Sequence, residues 1–253
     1  MRSFPSTCLV AVCLGLFPLL ASADHHESTS DAVALFDGES LDGWEGDQRF
    51  WSVKDGALVG QTTADNPSEK NTFLIYRGAD GGTAEFGDFV LEFEYQVDGF
   101  NSGIQYRSEE IGEFNIKGYQ ADFEAQWHDD GTADKFSGMF FEEQGRMFMG
   151  QRGEAVVVRT NSEDANSPKI DVIGSVGDAA ELEKAINRDG WNRYRIVADG
   201  HTFTHIINDR VMSVAFDEDK ANRADSGLIA LQLHGGRPMK IMVRKLMLTP
   251  LHD

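Results

Sequence analysis

The stretch Gly118-Tyr119-Gln120-Ala121-Asp122-Phe123-Glu124 combines reactive side chains with a period of two. Read as a β-strand, it sends Tyr119, Ala121 and Phe123 to one face and Gln120, Asp122 and Glu124 to the other, because side chains alternate along an extended chain. One row can enter a core while the other offers two carboxylates and an amide. Asp122 and Glu124 then stand roughly 6.5 Å apart, two residues of rise. Two further segments repeat the design. Gly103-Ile104-Gln105-Tyr106-Arg107 predicts Gln105 and Arg107 on one face. Gly227-Leu228-Ile229-Ala230-Leu231-Gln232-Leu233-His234 predicts Gln232 and His234 opposite Ile229, Leu231 and Leu233. Laid side by side with the polar rows aligned, these strands carry a patch that can hold a sugar and move a proton.

Each residue type has a definite use. Asp122 is the first candidate for a general base. His234 titrates nearest neutrality and can serve as acid or as alternative base, and Glu124 is the second carboxylate within reach. Arg107 is permanently charged and suits an oxyanion or a hydroxyl pair. Gln105, Gln120 and Gln232 can orient hydroxyls. Phe140-Phe141-Glu142-Glu143 and Gly145-Arg146 read as a strand and loop at the rim, with Glu142 a further candidate acid. The plainer reading is a solvated outer row on an antiparallel sheet, and it is preferred for Glu92 and Glu94. Trp127-His128-Asp129-Asp130 offers the oxygen and imidazole ligands of a divalent cation. Acidic loops are common in so acidic a chain, so no cofactor is assigned.

The elements that must position these groups are short and mostly β. Asp55-Gly56 between Phe50–Val53 and Ala57–Val59 is a hairpin signal, since a tight turn needs positive φ. Phe73–Tyr76, Phe89–Val97, Ala155–Arg159, Ile170–Ile173, Tyr194–Ala198, Thr202–Ile207, Val211–Phe216 and Ile241–Leu248 read as further strands. Asp178, with Glu181 three residues on, predicts a helix N-terminus closed by a capping box, and Gly190 the stop. Many strands, no βαβ alternation and one small helix argue an all-β sandwich.

Arg2, the apolar run Cys8–Ala21 and Ala21-Ser22-Ala23 have the layout of a signal peptide over residues 1–23. A polar leader over 24–32, with His25 and His26, and one domain over 33–253 follow. Both cysteines leave with the signal, so the exported chain must be held by its core without disulfides. With 42 acidic against 23 basic residues the formal net charge is −19. That surface repels nucleic acid and anionic lipid and suits a neutral or cationic ligand.

The words Leu35-Phe36-Asp37-Gly38-Glu39-Ser40-Leu41-Asp42-Gly43-Trp44, Trp51-Ser52-Val53, Asp55-Gly56-Ala57-Leu58-Val59-Gly60, Asn71-Thr72-Phe73-Leu74, Asp88-Phe89-Val90-Leu91 and Asn101-Ser102-Gly103-Ile104 follow one another in a set order. So do Gly118-Tyr119-Gln120-Ala121-Asp122, Trp191-Asn192-Arg193-Tyr194, the segment Gly227–His234 and Val243-Arg244. Together they resemble the 3-keto-disaccharide hydrolase family, also described as 3-keto-glucoside 1,2-lyase and 3-keto-2-hydroxy-glucal hydratase. The resemblance runs from about Val33 to Leu251. It implies a concanavalin A-like jelly-roll sandwich of two antiparallel sheets and an exported enzyme acting on oxidised glycosides or disaccharides. Trp44 and Trp51 are expected in the core.

Ordinary glycoside hydrolysis uses two placed carboxylates and an oxocarbenium-like transition state. A ketone at C3 opens a route by C2 deprotonation, elimination at C1 and hydration. A non-catalytic lectin-like module is the main alternative, because fold does not decide function. A retaining glucanase with an acid-x-Asp-x-Glu strand is disfavoured because Gln120 stands at the nucleophile position. A structural envelope protein is the remaining class.

Overall fold

The computed structural model describes residues 31–124, 135–164 and 167–251. The expected signal peptide, the leader up to Ser30 and the candidate cation loop Trp127–Asp130 lie outside these residues.

The strands are β1 (Val33–Ala34), β2 (Trp44–Glu45), β3 (Trp51–Lys54), β4 (Ala57–Thr62), β5 (Thr72–Tyr76) and β6 (Phe89–Asp98). They continue with β7 (Asn101–Gly112), β8 (Asn115–Glu124), β9 (Phe140–Glu143), β10 (Met147–Gly150), β11 (Glu154–Arg159) and β12 (Lys169–Ser175). After α1 (Ala179–Glu183) come β13 (Asn192–Asp199), β14 (Thr202–Ile207), β15 (Arg210–Asp217), β16 (Leu228–Leu233) and β17 (Met239–Pro250). A ten-stranded sheet runs β12-β11-β15-β14-β13-β6-β17-β4-β3, with β1 beside β17. A seven-stranded sheet runs β10-β9-β8-β7-β16-β5-β2. The expected all-β jelly-roll sandwich is what the chain forms. One pair departs from the antiparallel expectation: β11 runs parallel to β15. Between them the chain reverses direction four times, through β12, α1 and the β13–β14 hairpin, an even number that leaves β15 parallel to β11.

Alternation builds the core. Phe89, Leu91, Phe93 and Tyr95 of β6 are buried, and Tyr95 stacks on Phe123 of the opposite sheet with centroids 4.4 Å apart. Trp44 and Trp51 are buried as expected, and Trp44 Nε1 donates to Leu35 O at 2.7 Å. The intervening positions of β6 face outward, where Glu94 pairs with Arg244 and Lys245, each at 2.7 Å, and Glu92 with Arg195 at 3.2 Å. Asp55 and Gly56 both adopt positive φ, as the β3–β4 turn requires. Asp178 caps α1 by accepting from Ala180 N and Glu181 N, both at 3.0 Å. The helix is shorter than the stop at Gly190 predicted, and Glu181 pairs with Lys184 at 2.6 Å instead of closing a capping box.

His205 lies fully inside the sandwich. A carbonyl can only accept, so the 3.0 Å contact to Met139 O places the proton on Nδ1, and Nε2 accepts from the Tyr106 hydroxyl at 2.9 Å. Burial pushes the imidazole pKa down to about 4, against the weaker pull of backbone contacts at Met139 and Gly138. Below pH 6.5 the unfolded chain takes up this proton while the folded chain refuses it until about pH 4. The stabilisation is therefore full above pH 6.5 and lost as pH falls toward 4, about 3 kcal/mol in all. Urea midpoints at pH 7 and pH 4 should differ by less in His205→Gln than in the parent. An equal difference in the two proteins rejects this origin.

Candidate functional site

The site lies on the face of the seven-stranded sheet turned away from the core. Register puts Gly103 opposite Asp122 and Gln105 opposite Gln120. Phe141 lies opposite Gln120 and Gly118 opposite Glu143 on the next strand. The polar row of β8 is therefore continuous with Glu143 on one side and with β7 and β16 on the other. Glu143 Oε2 accepts from Gln232 Nε2 at 2.9 Å, although β7 and β8 lie between their strands. In a flat sheet three strand spacings would hold those backbones about 14 Å apart. The sheet must therefore curve, so that these long side chains meet over its hollow.

A cavity of about 260 Å³ occupies that hollow. Its polar wall is Gln120, Asp122, Glu143, Gln232 and His234, together with Asn71 and Asn101. Asp122 Oδ1 accepts from Gln120 Nε2 at 2.5 Å, which fixes that amide. Gln120 Oε1 then accepts from Gln105 Nε2 at 2.5 Å, and Ser108 Oγ donates to Gln105 Oε1 at 3.0 Å. The buried relay Ser108–Gln105–Gln120 thus orients the Asp122 carboxylate. It needs Gly103: a Cβ there would stand 2.5 Å from Gln120 Cγ.

Glu143 is buried, and burial raises its pKa, opposed by amide donors from Asn71, Gln144 and Gln232. His234 donates from Nδ1 to Gly235 O at 2.8 Å, so the neutral ring keeps its lone pair on Nε2. Burial lowers its pKa and nearby Arg237 adds to that, against the Gly235 carbonyl, so the ring is neutral at physiological pH. The Glu143 carboxylate fixes the Gln232 amide with its nitrogen inward. That leaves Gln232 Oε1 buried with no hydrogen-bond partner among the described residues. An unmet acceptor on a cavity wall is a place for a ligand hydroxyl.

Of the residues singled out from sequence, Gln120, Asp122, Gln232 and His234 meet at this cavity and Gln105 supports it from beneath. Three go elsewhere. Arg107 does not share a face with Gln105: its φ is +44°, and the β7–β8 register slips between Tyr106 and Glu109. The bulge brings Gly227 so close that a Cβ there would lie 2.6 Å from Arg107 C. A bulge re-aims a side chain, and the guanidinium is turned to Gly87 O at 2.8 Å, Gly200 O at 2.6 Å and the Asp88 carboxylate. It ties loops of the other sheet to β7 and does not line the cavity. Glu142 lies opposite Tyr119, a core-facing residue, and its carboxylate is gripped by Arg146. Glu124 turns its buried carboxylate to the backbone amides of Lys135 and Phe136, the latter at 2.9 Å. Glu143, one residue from the candidate Glu142, is the acid the sequence reading missed. The signal was available only with the β8–β9 register, which sets which of two adjacent glutamates faces the hollow. Among the described residues no group of three or more His, Cys, Asp or Glu is placed to hold a metal ion.

Solved structures share the architecture. A putative glycosyl hydrolase from Parabacteroides distasonis is 16% identical, with TM-score 0.54 over 87% of this chain and 99% of that one. A second putative glycosyl hydrolase from that organism is 14% identical, with TM-score 0.53 over 90% and 97%. The kappa-carrageenase of Pseudoalteromonas carrageenovora is 8% identical, with TM-score 0.51 over 88% and 93%. These likenesses establish the sandwich fold. No curated protein matches the chain. The profile of the 3-keto-alpha-glucoside-1,2-lyase-like domain matches residues 31–249, all but the last residue of the sandwich and its whole site, and the chain belongs to that family.

Proposed function

We propose that this protein is an exported enzyme that cleaves 3-keto glycosides by elimination and hydration. The observation that carries the reading is the convergence of Asp122, Glu143 and His234 on one cavity with an unmet hydroxyl acceptor, Gln232 Oε1. Family membership and the carbohydrate-active neighbours support a sugar ligand. Export is supported by Arg2, the apolar run after it and Ala21-Ser22-Ala23.

The ketone at C3 acidifies the C2 hydrogen. Asp122, held by the amide relay, takes that proton, and the C–H electron pair becomes the enolate. The enolate then expels the C1 substituent, whose oxygen takes a proton from Glu143, the carboxyl that burial keeps protonated to higher pH. Water adds across the C1–C2 double bond of the resulting enone, oxygen to C1 and hydrogen to C2. Net hydrolysis results, with no change in oxidation state. His234 Nε2, a free lone pair on a neutral ring, is the group for activating that water. No arginine or lysine lines the cavity among the described residues. Stabilisation of the enolate oxygen therefore falls to neutral N–H donors such as Asn101.

The test is incubation of the purified protein with a 3-keto glucoside and with its unoxidised parent. Aglycone release and the ultraviolet absorbance of the enone are followed together. Turnover of the keto substrate alone, with the enone appearing first, is expected. Equal cleavage of both substrates, or of neither, rejects the reading. Repeating the assay with a chelator shows whether a divalent cation takes part.

A further inference from the structure

The polar wall of the cavity has an apolar counterpart. Phe136, Phe141, Met147 and Phe148 line the same hollow. Phe148 is the centre of this group: it packs edge-on to Phe141 at 5.1 Å and stacks with Phe136 at 6.0 Å. Yet Phe148 is 50% exposed and Met147 46% exposed, placing them among the most exposed large apolar side chains of the described residues. Met147 also holds a φ of +62°, a conformation that a non-glycine residue rarely adopts. The turn that imposes it is pinned from below, because Glu142 accepts from Arg146 N at 2.6 Å and from its guanidinium. The protein thus fixes two apolar side chains in water at the mouth of a polar cavity.

We infer that Phe148 and Met147 form the leaving-group subsite, and that the preferred leaving group is a flat aromatic alcohol. The inference rests on the function proposed above and names its substrate class. At about 260 Å³ the cavity falls below the 300–1,000 Å³ of drug-sized sites. One glycosyl ring fills it, and whatever C1 carries must leave it. The sugar's end is set by Asp122, Glu143 and the unmet Gln232 acceptor, so the leaving group emerges across the apolar wall. A second sugar laid there can offer its C–H face to Phe148, but the hydroxyls around that face find no hydrogen bond from Phe148 or Met147. An aryl ring forfeits none and gains stacking on Phe148.

The experiment compares kcat/KM for the phenyl and methyl 3-keto glucosides and a 3-keto disaccharide. The wild type should prefer phenyl over methyl by at least tenfold and over the disaccharide as well. Phe148→Ala should lower the phenyl-over-methyl ratio about tenfold, the worth of one aromatic contact, and Phe148→Trp should keep it. A ratio that is the same in wild type and Phe148→Ala overturns the inference, as does a wild type that prefers the disaccharide. A variant that merely folds poorly lowers both rates and leaves the ratio alone. Calorimetry with Asp122→Asn separates the two levels. Tighter phenyl than methyl binding without wild-type turnover supports the subsite and sinks the chemistry, while turnover without aryl preference does the reverse. Loss of a dimer in Phe148→Ala, with no change in ratio, assigns the apolar wall to self-association and also overturns the inference.

Discussion

Asp122→Asn is expected to lower kcat on a 3-keto glucoside by about 10²- to 10⁴-fold, the usual worth of a placed general base. The substitution keeps the shape of the side chain and removes only its proton affinity. Gln120 is buried and bonded on both sides, so its amide turns over to present Oε1 to the amide nitrogen that the substitution introduces, and the Gln105–Ser108 end of the relay readjusts. Thermal stability should change little, because an amide replaces a carboxylate in a site that already supplies hydrogen bonds. Ligand binding measured by calorimetry should persist. That combination identifies a base. Loss of affinity with no wild-type turnover identifies a binding module instead, and undiminished kcat moves the role of base to His234.

The pattern of the sandwich was legible because burial on one face imposes a period of two, and the β3–β4 turn announces itself at Asp55-Gly56. Gln120, Asp122, Gln232 and His234 were legible for the same reason: each sits in, or one residue beyond, a strand whose other face is plainly apolar. Arg107 was misplaced because alternation presumes an uninterrupted strand. The bulge at Tyr106–Glu109 is set by the glycine just before β16, Gly227, and by loop carbonyls from the other sheet. None of these is local in sequence. Glu142 and Glu143 posed a different problem. In Phe140-Phe141-Glu142-Glu143 both faces carry one aromatic and one acid, so periodicity has no preferred phase. Only pairing with β8 breaks the tie, sending Phe140 and Glu142 inward and Phe141 and Glu143 to the hollow. The curvature that joins Glu143 to Gln232 is likewise a property of the whole sheet.

Removing the Arg146 side chain should produce the largest loss of stability. Its guanidinium is buried and faces three carboxylates: Glu142 at 2.8 Å, Asp217 at 2.7 Å and Asp219 at 3.3 Å. Tyr119 Oη donates to Asp217 at 2.6 Å, and Thr160 and Asn222 donate to Asp219 at 2.6 and 2.7 Å. Burial alone would push the arginine pKa down, but bonds to Glu142 and Asp217 outweigh it and hold the group firmly protonated. Arg146→Met fills much of the space yet leaves three acids without their shared cation. Breaking a buried pair in this way costs about 3–5 kcal/mol. At about 2–4 °C per kcal/mol for a chain of this size, the melting temperature should drop by roughly 10 °C. Two further results identify charge, and not packing, as the cause. The deficit should shrink as the medium is acidified, because protons discharge the carboxylates that the guanidinium no longer balances. That is opposite in sign to the His205 effect, which weakens the parent protein over the same range. Adding Asp217→Asn to Arg146→Met should recover part of the loss, since it removes one of the unbalanced charges while keeping an acceptor for Tyr119. A deficit independent of pH and unrelieved by Asp217→Asn would place the contribution of Arg146 in its contact with the Tyr119 ring, 5.7 Å away. The network also reaches the site, because the same Glu142–Arg146 contact holds the turn that presents Met147 and Phe148. Arg146→Met should therefore disturb leaving-group preference even at temperatures where the sandwich remains folded.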